Sequence, residues 1–201
     1  PEERLAQLNV FWDQVCLMQQ IMMKAADTTA LSPFFQSLYG CIQAQQLPLQ
    51  PFFDLLTAFK QDVLKSNYES WSELLHYCAH SANPIGVLLL ALAKQDSSEN
   101  IAASDAICSS LQLLNFWQDV VDDKQQRARC YIPLEEQRKQ GFAKHHDLLD
   151  KRYHVAYRNL IEMQLDKTSR LLDSGAQLPD NLRVIFGFQI RMVVVSDYCL
   201  L

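Results

Sequence analysis

Residues 111–133, LQLLNFWQDVVDDKQQRARCYIP, decide how the whole chain is read. The first half is apolar at helical spacing. The second half turns acidic, then basic, and ends at Pro133. Four polar side chains thread the stretch: Gln112, Asn115, Asp119 and Asp123. On an α-helix their steps of three, four and four place them on one face, one above another. Asp122 falls one residue off that line. Leu111, Leu114, Phe116, Trp117, Val120 and Val121 occupy nearly all the remaining circumference. A surface helix would turn its polar line to water and keep one apolar face. Apolar residues on both sides of the line instead predict a stripe that faces a cavity between helices.

Two carboxylates one turn apart repel by a few tenths of a kcal/mol, and by more in apolar surroundings. A cation removes that cost. Mg²⁺ suits carboxylate oxygens, keeps several waters and is commonly shared with substrate phosphates. Lys124, Arg127 and Arg129 follow directly and suit phosphate oxygens. An acid pair, then a basic cluster, beside an apolar cavity points to a diphosphate carried on an apolar chain. Lewis-acid polarisation would ease loss of the diphosphate, and the cavity would shield the resulting carbocation from water. The spacing alone also fits a solvated helix end with ordinary i,i+4 pairs, since clustered charges are often structural.

Outward from this stretch, helical periodicity dominates. Residues 3–26 place Leu5, Leu8, Phe11, Trp12, Val15 and Met18 at steps of three and four. Ser32 with Pro33 opens a second helix. A third, over 51–65, carries the stripe Phe52, Leu55, Leu56 and Phe59, which fits the core or the wall of a cavity. Ser70 caps a fourth, and SANP (81–84) separates it from a fifth ending near Ala93. One long helix is predicted from about Ile101 to Lys124, and two more over 148–173 and 182–200. No strand alternation persists. The expectation is an all-α helical bundle with a central cavity, one domain over 1–201.

The 201 residues are 49% hydrophobic, enough for one sizeable core. The net charge of −5, with no run of three cations, disfavours nucleic acid, whose phosphates require clustered cations. Six scattered cysteines without CxxC read as buried thiols of a reducing compartment, with a disulfide framework as the alternative. The most apolar run, 184–201, contains Gln189, Arg191 and Asp197 and is too polar and short to span a bilayer. His145 and His146 with Asp147 read as a solvated turn, since adjacent helical residues point about 100° apart and one ion would rarely take both.

Two segments carry a resemblance. SLQLLNFWQDVVDDKQQRARCYIP resembles the second aspartate-rich motif of the squalene/phytoene synthases, Q-x-x-N-x-x-[R/Q]-D-x-x-x-D followed by a basic turn ending in R-x-Y-x-P. YCAHSANPIG (77–86) is similar to that family's Y-C-x-x-[S/V]-A-x-x-V-G segment. SANP, SDAIC and NFWQD resemble the bacterial branch called HpnC, the hydroxysqualene synthases of hopanoid-type squalene synthesis. The resemblance is specific across 68–134 and diffuse at both ends.

The resemblance implies the isoprenoid-synthase fold and Mg²⁺-dependent chemistry on prenyl diphosphates. For the HpnC-like branch it implies ionisation of presqualene diphosphate and capture of the cation by water. By position, Asp119 and Asp123 would hold Mg²⁺, and Gln112 and Asn115 would line the site beside the diphosphate. Tyr77 would face the reacting centre, with Arg129 and Tyr131 at the diphosphate end; Tyr68 and Asp62 are further candidates to reach the site. Gln118 stands where most members carry Arg, in agreement with the hydroxysqualene branch, and Ala128 where most carry Gly. The family's first motif, D-D-x-x-D, is not among these residues and is expected just upstream of Pro1. The alternatives are condensation of two prenyl diphosphates to squalene or phytoene, and a non-catalytic scaffold on the same fold. The apolar substrate implies a cytoplasmic protein in peripheral contact with the membrane's inner face.

Overall fold

A computed structural model describes residues 1–25, 27–142, 148 and 150–201. His145, His146 and Asp147 lie outside the described residues. The described chain is helical: α1 Glu2–Lys24, α2 Pro33–Gln45, α3 Gln50–Leu64, α4 Trp71–Ser81, α5 Asn83–Leu92, α6 Ser98–Gln118, α7 Val120–Arg127, α8 Leu134–Lys139, α9 His154–Gly175, α10 Leu178–Asn181 and α11 Val184–Leu200. Among the described residues there is no strand, and a single isolated bridge joins Asn67 to Cys130. The all-α expectation holds.

Local chemistry accounts for most boundaries. The Ser70 hydroxyl accepts the Glu73 N–H at 3.2 Å, and the Ser97 hydroxyl accepts the Asn100 N–H at 3.2 Å, each satisfying a helix-start donor that lacks an intrahelical partner. Ser32 occupies the corresponding position of α2, but its side chain makes no cap bond, and Pro33 alone preorganises that start. The SANP break falls at Ala82. The helix expected over 148–173 begins at His154, after a 3-10 turn over Lys151–Tyr153.

α6 is the axis of the bundle: α9, α5, α4, α10 and α11 all pack on it. Small residues allow the close approaches. A Cβ on Gly175 of α9 would collide with the Ala103 carbonyl oxygen, and one on Gly86 of α5 with the Ser104 hydroxyl and the Cys108 thiol. Behind α6, the Trp117 indole N–H donates to the Thr168 hydroxyl at 2.9 Å, tying α6 to α9. A separate apolar cluster joins α1, α2 and α3 through Val15, Met18, Ile21, Phe35, Ile42 and Leu56.

Several expectations need correction. The long helix to Lys124 is two helices, because Asp119 (φ −94°, ψ 8°) bends the chain between α6 and α7. The helical ladder survives the bend: Asp119 N–H donates to Asn115 O at 2.9 Å, and Asp123 N–H to Asp119 O at 2.8 Å. The polar stripe is only partly enclosed. Asp123 is buried, whereas Asn115 and Asp119 are exposed on the side of the helix away from the Trp117–Thr168 contact with α9. Phe59 is 48% exposed and lines a cavity instead of filling the core. All six cysteines are free, but Cys41 and Cys199 are exposed, so the thiols are not uniformly buried.

Candidate active site

The segment after α7 folds back along the residues that precede α4. Ala128 takes the left-handed conformation (φ 53°) that ends α7, and its N–H returns to the Asp123 carbonyl. Cys130 N–H then donates to Ser66 O at 2.9 Å, and Leu134 N–H to Tyr68 O at 2.9 Å. This pairing brings Arg129 and Tyr131 against residues more than sixty positions earlier.

The result is an aromatic cluster with a charged edge. Phe116 of α6 stacks on Tyr131, with centroids 3.7 Å apart and planes 3° apart. Tyr77 of α4 lies 6.0 Å from Tyr131, and Tyr68 lies 5.3 Å from Tyr77 and 5.7 Å from Tyr131. The Tyr77 hydroxyl donates to Asp62 Oδ1 at 2.8 Å. Arg129 Nη1 lies 3.7 Å from the same oxygen and donates to the Tyr131 hydroxyl at 3.3 Å; its Nη2 donates to the Asp62 backbone carbonyl. Burial, and then the neighbouring Asp62 carboxylate, push the Tyr77 phenol well above its ordinary range, so it keeps its proton. Burial does the same to Tyr68 and Tyr131. Beside this cluster, a cavity of about 530 Å³ opens between α1 and α3, lined by Leu8, Val10, Phe11 and Phe59, with Arg4 and Gln7 at its polar part and Asp62 on its wall.

The acidic run is arranged less symmetrically than its spacing suggests. Asp119 is exposed at the bend, whereas Asp123 is 5% exposed and its Oδ1 accepts Arg127 Nη1 at 2.8 Å. Gln112 and Lys124 are half-buried. Arg127 and Arg129 each engage an acid, Asp123 and Asp62 respectively, so neither is held apart for a phosphate. The structure therefore brings Tyr77, Arg129 and Tyr131 into one cluster with Tyr68 and Asp62. Asp119, Asp123, Lys124 and Arg127 form the adjoining α7 edge, and Gln112 and Asn115 follow up α6. Asp62, together with Tyr68, is a member to which sequence reasoning gave least weight. Its signal was a carboxylate three residues beyond Phe59 on the α3 stripe.

The donor set fits Mg²⁺. Asp119 and Asp123 offer hard carboxylate oxygens one turn apart, and Gln112 and Asn115 offer amide oxygens on the same line. Among the described residues no three His, Cys, Asp or Glu side chains converge on a metal position. A Mg²⁺ ion on the two carboxylates would therefore take most of its shell from water and phosphate.

An all-α bundle with an acid-then-basic run beside an aromatic-walled apolar cavity defines an isoprenoid-synthase-type protein. More specifically, the chain belongs to the squalene/phytoene synthase family, whose model matches residues 1–198. It is 35% identical over 152 residues to a hydroxysqualene synthase of Rhodopseudomonas palustris, an alignment covering 76% of this chain and 51% of that one. Its structure is similar to squalene synthase HpnC from Alicyclobacillus acidocaldarius (TM-score 0.86, 27% identity, 98% of this chain and 72% of that one). A dehydrosqualene synthase solved with a ligand shares the fold at TM-score 0.75 and 21% identity, over 90% of this chain and 62% of that one. The chain thus spans about half the length of the R. palustris relative.

Proposed function

We propose that this chain forms the second-motif side of a Mg²⁺-dependent prenyl-diphosphate enzyme that converts presqualene diphosphate to hydroxysqualene. The observation that carries this reading is the Tyr77–Asp62–Arg129–Tyr131 cluster, set between an apolar cavity and a run of carboxylates and cations. The relative named hydroxysqualene synthase and the similarity to HpnC support the branch.

In this reading Asp119 and Asp123 hold Mg²⁺, which supplies Lewis-acid polarisation of the diphosphate oxygens. Arg127, Arg129 and Lys124 orient the diphosphate, Arg127 by releasing Asp123 and Arg129 through guanidinium N–H groups not used by its Asp62 and Tyr131 contacts. Gln112 and Asn115 accompany it along α6. The bond from carbon to the bridging oxygen breaks, and its electron pair leaves with the diphosphate. The neutral Tyr77 phenol and the stacked rings present π-faces and lone pairs to the cation. The apolar wall keeps bulk water away. One water forms the new C–O bond, and the departing diphosphate accepts the proton it loses. A C30 substrate would be met at the cytoplasmic face of a membrane, with the protein in peripheral contact.

The test is turnover by the full-length protein with Mg²⁺. Presqualene diphosphate should give hydroxysqualene; its failure to do so removes the branch assignment. Farnesyl diphosphate as sole substrate separates this activity from squalene- or phytoene-type condensation by product identity. Lack of turnover on every prenyl diphosphate would favour a non-catalytic scaffold.

A further inference from the structure

Asp62 belongs to two features at once. Its side chain is 24% exposed and is the single carboxylate among the described residues lining the 530 Å³ cavity. The same carboxylate accepts the Tyr77 hydroxyl at 2.8 Å and lies 3.7 Å from Arg129. A phenol that donates its one proton to a carboxylate has only its lone pairs and ring left to meet anything else. Its oxygen is polarised negative by that bond, and the negative end is what a developing carbocation requires.

We propose that Asp62 is a positioning residue: it holds the Tyr77 phenol so that oxygen and ring face the reacting centre, and ties that orientation to Arg129 at the diphosphate end. This rests on the reading under Proposed function and extends it to a residue outside the aspartate-rich run. Burial and the Asp62 charge keep the phenol protonated, which preserves the donated bond. The tie to Arg129 has a second strand that does not depend on the side chain: Arg129 Nη2 donates to the Asp62 backbone carbonyl, and Nη1 reaches the Tyr131 hydroxyl. Replacing the carboxylate by a neutral amide should therefore weaken and depolarise the Tyr77 bond, loosening the phenol, while leaving Arg129 close to its place.

That asymmetry gives the test. Asp62→Asn and Tyr77→Phe are made singly and together in the full-length protein. Turnover, melting temperature and affinity for inorganic diphosphate with Mg²⁺ are measured for each. Asp62→Asn should lower kcat on the order of 10²-fold, the scale of a misplaced reacting group. KM and inorganic diphosphate affinity should move less than about threefold, because anion binding is retained. In the Tyr77→Phe background the same substitution should cost less than about threefold more, since the group it positions is gone. Multiplying losses would overturn the proposal, as would diphosphate affinity falling in step with kcat. If Asp62→Asn melts early, Tyr77→Phe, which removes only the hydroxyl, must alone reproduce the kcat loss; a much smaller loss overturns the proposal. A wild-type protein without turnover would remove the proposed function, and this role with it.

Discussion

Asp119→Asn and Asp123→Asn, treated as interchangeable by their spacing, should behave differently. Asp119 is exposed at a bend and its side chain makes no cap bond. Its replacement by an isosteric amide should leave stability within about 0.5 kcal/mol, as for most surface changes. Asp123 is 5% exposed and takes Arg127 at 2.8 Å. Because the Arg127 side chain is 64% exposed, the Coulomb gain of that pair is small, about 0.5 kcal/mol. An amide there also sets a buried N–H₂ against guanidinium donors, and an unsatisfied buried group costs about 1–2 kcal/mol. For a chain of this length that sum lowers the melting temperature by roughly 3–10 °C. Both substitutions remove a charge from the proposed Mg²⁺ site, and each should lower turnover at least about 10²-fold, equivalent to about 2.7 kcal/mol of barrier. Raising Mg²⁺ should recover part of the Asp119→Asn loss. The assays are steady-state turnover across a Mg²⁺ titration and thermal melts without substrate. Near-wild-type turnover of Asp119→Asn would refute the metal role. Equal destabilisation by both variants would refute the asymmetry derived from burial.

Ala128 holds φ 53°, a conformation that costs a non-glycine residue about 1 kcal/mol; Ala128→Gly should hold or raise the melting temperature, by 0 to about 4 °C once the entropy gained by the unfolded chain is set against the strain relieved, and a fall of about 2 °C or more would mean that the turn is not strained. Gly175→Ala should destabilise by about 2 kcal/mol or more, because the added methyl collides with the Ala103 backbone and must part α6 from α9; a neutral melt would refute that close approach. Burial pushes the Asp197 carboxyl from 3.8 up to about 6. The folded state then binds more protons than the unfolded one between those values, so this group favours folding most below about pH 4 and its contribution is lost as pH rises through 6. Melting temperatures of wild type and Asp197→Asn between pH 4.5 and 7.5 should diverge, the variant gaining relative stability as pH rises; parallel curves would refute the shift.

Much of the fold was legible because helix-forming sequence leaves a periodic mark. Ser70 announced a cap, SANP a break, and the α1 and α3 stripes their apolar faces. The bend at Asp119 was not legible from proline or glycine, since neither is present. A weaker signal existed in an N-cap residue type followed by the acidic first turn Asp122–Asp123. The sequence leaves Phe59 between core and cavity wall, because a stripe at steps of three and four reports which face is apolar, not what lies against it. Tyr77, Arg129 and Tyr131 were found through motif resemblance, whereas their meeting with Asp62 depends on a contact across 67 residues that no local pattern encodes. The pairing of Arg127 with Asp123 was visible as an i,i+4 spacing; its competition with phosphate was not, because that depends on burial of one partner.

The geometry of α6 explains how one helix can carry both the fold and the proposed chemistry. At about 100° per residue, Gln112, Asn115 and Asp119 fall within a narrow arc, while Ser110, Leu114 and Trp117 lie on the opposite side. The second group faces α9 through Trp117–Thr168 and the close approach at Gly175, and Phe116, between the arcs, turns toward Tyr77 and Tyr131. Substitutions should therefore sort by angle and not by distance along the chain. Changes at Ser110 or Trp117 act on stability through the α6–α9 contact. Changes at Asn115 or Asp119 act on turnover and leave the melt nearly unmoved. Phe116 should affect both, since the ring that fills the core on one side is the ring stacked on Tyr131 on the other. Phe116→Leu keeps most of the apolar volume but removes the stacked face, so it should lower turnover more than its stability cost of about 1–1.5 kcal/mol would suggest. If its turnover instead tracks only the folded fraction, the aromatic stack serves packing alone, and the cation-facing role given to that wall fails with it.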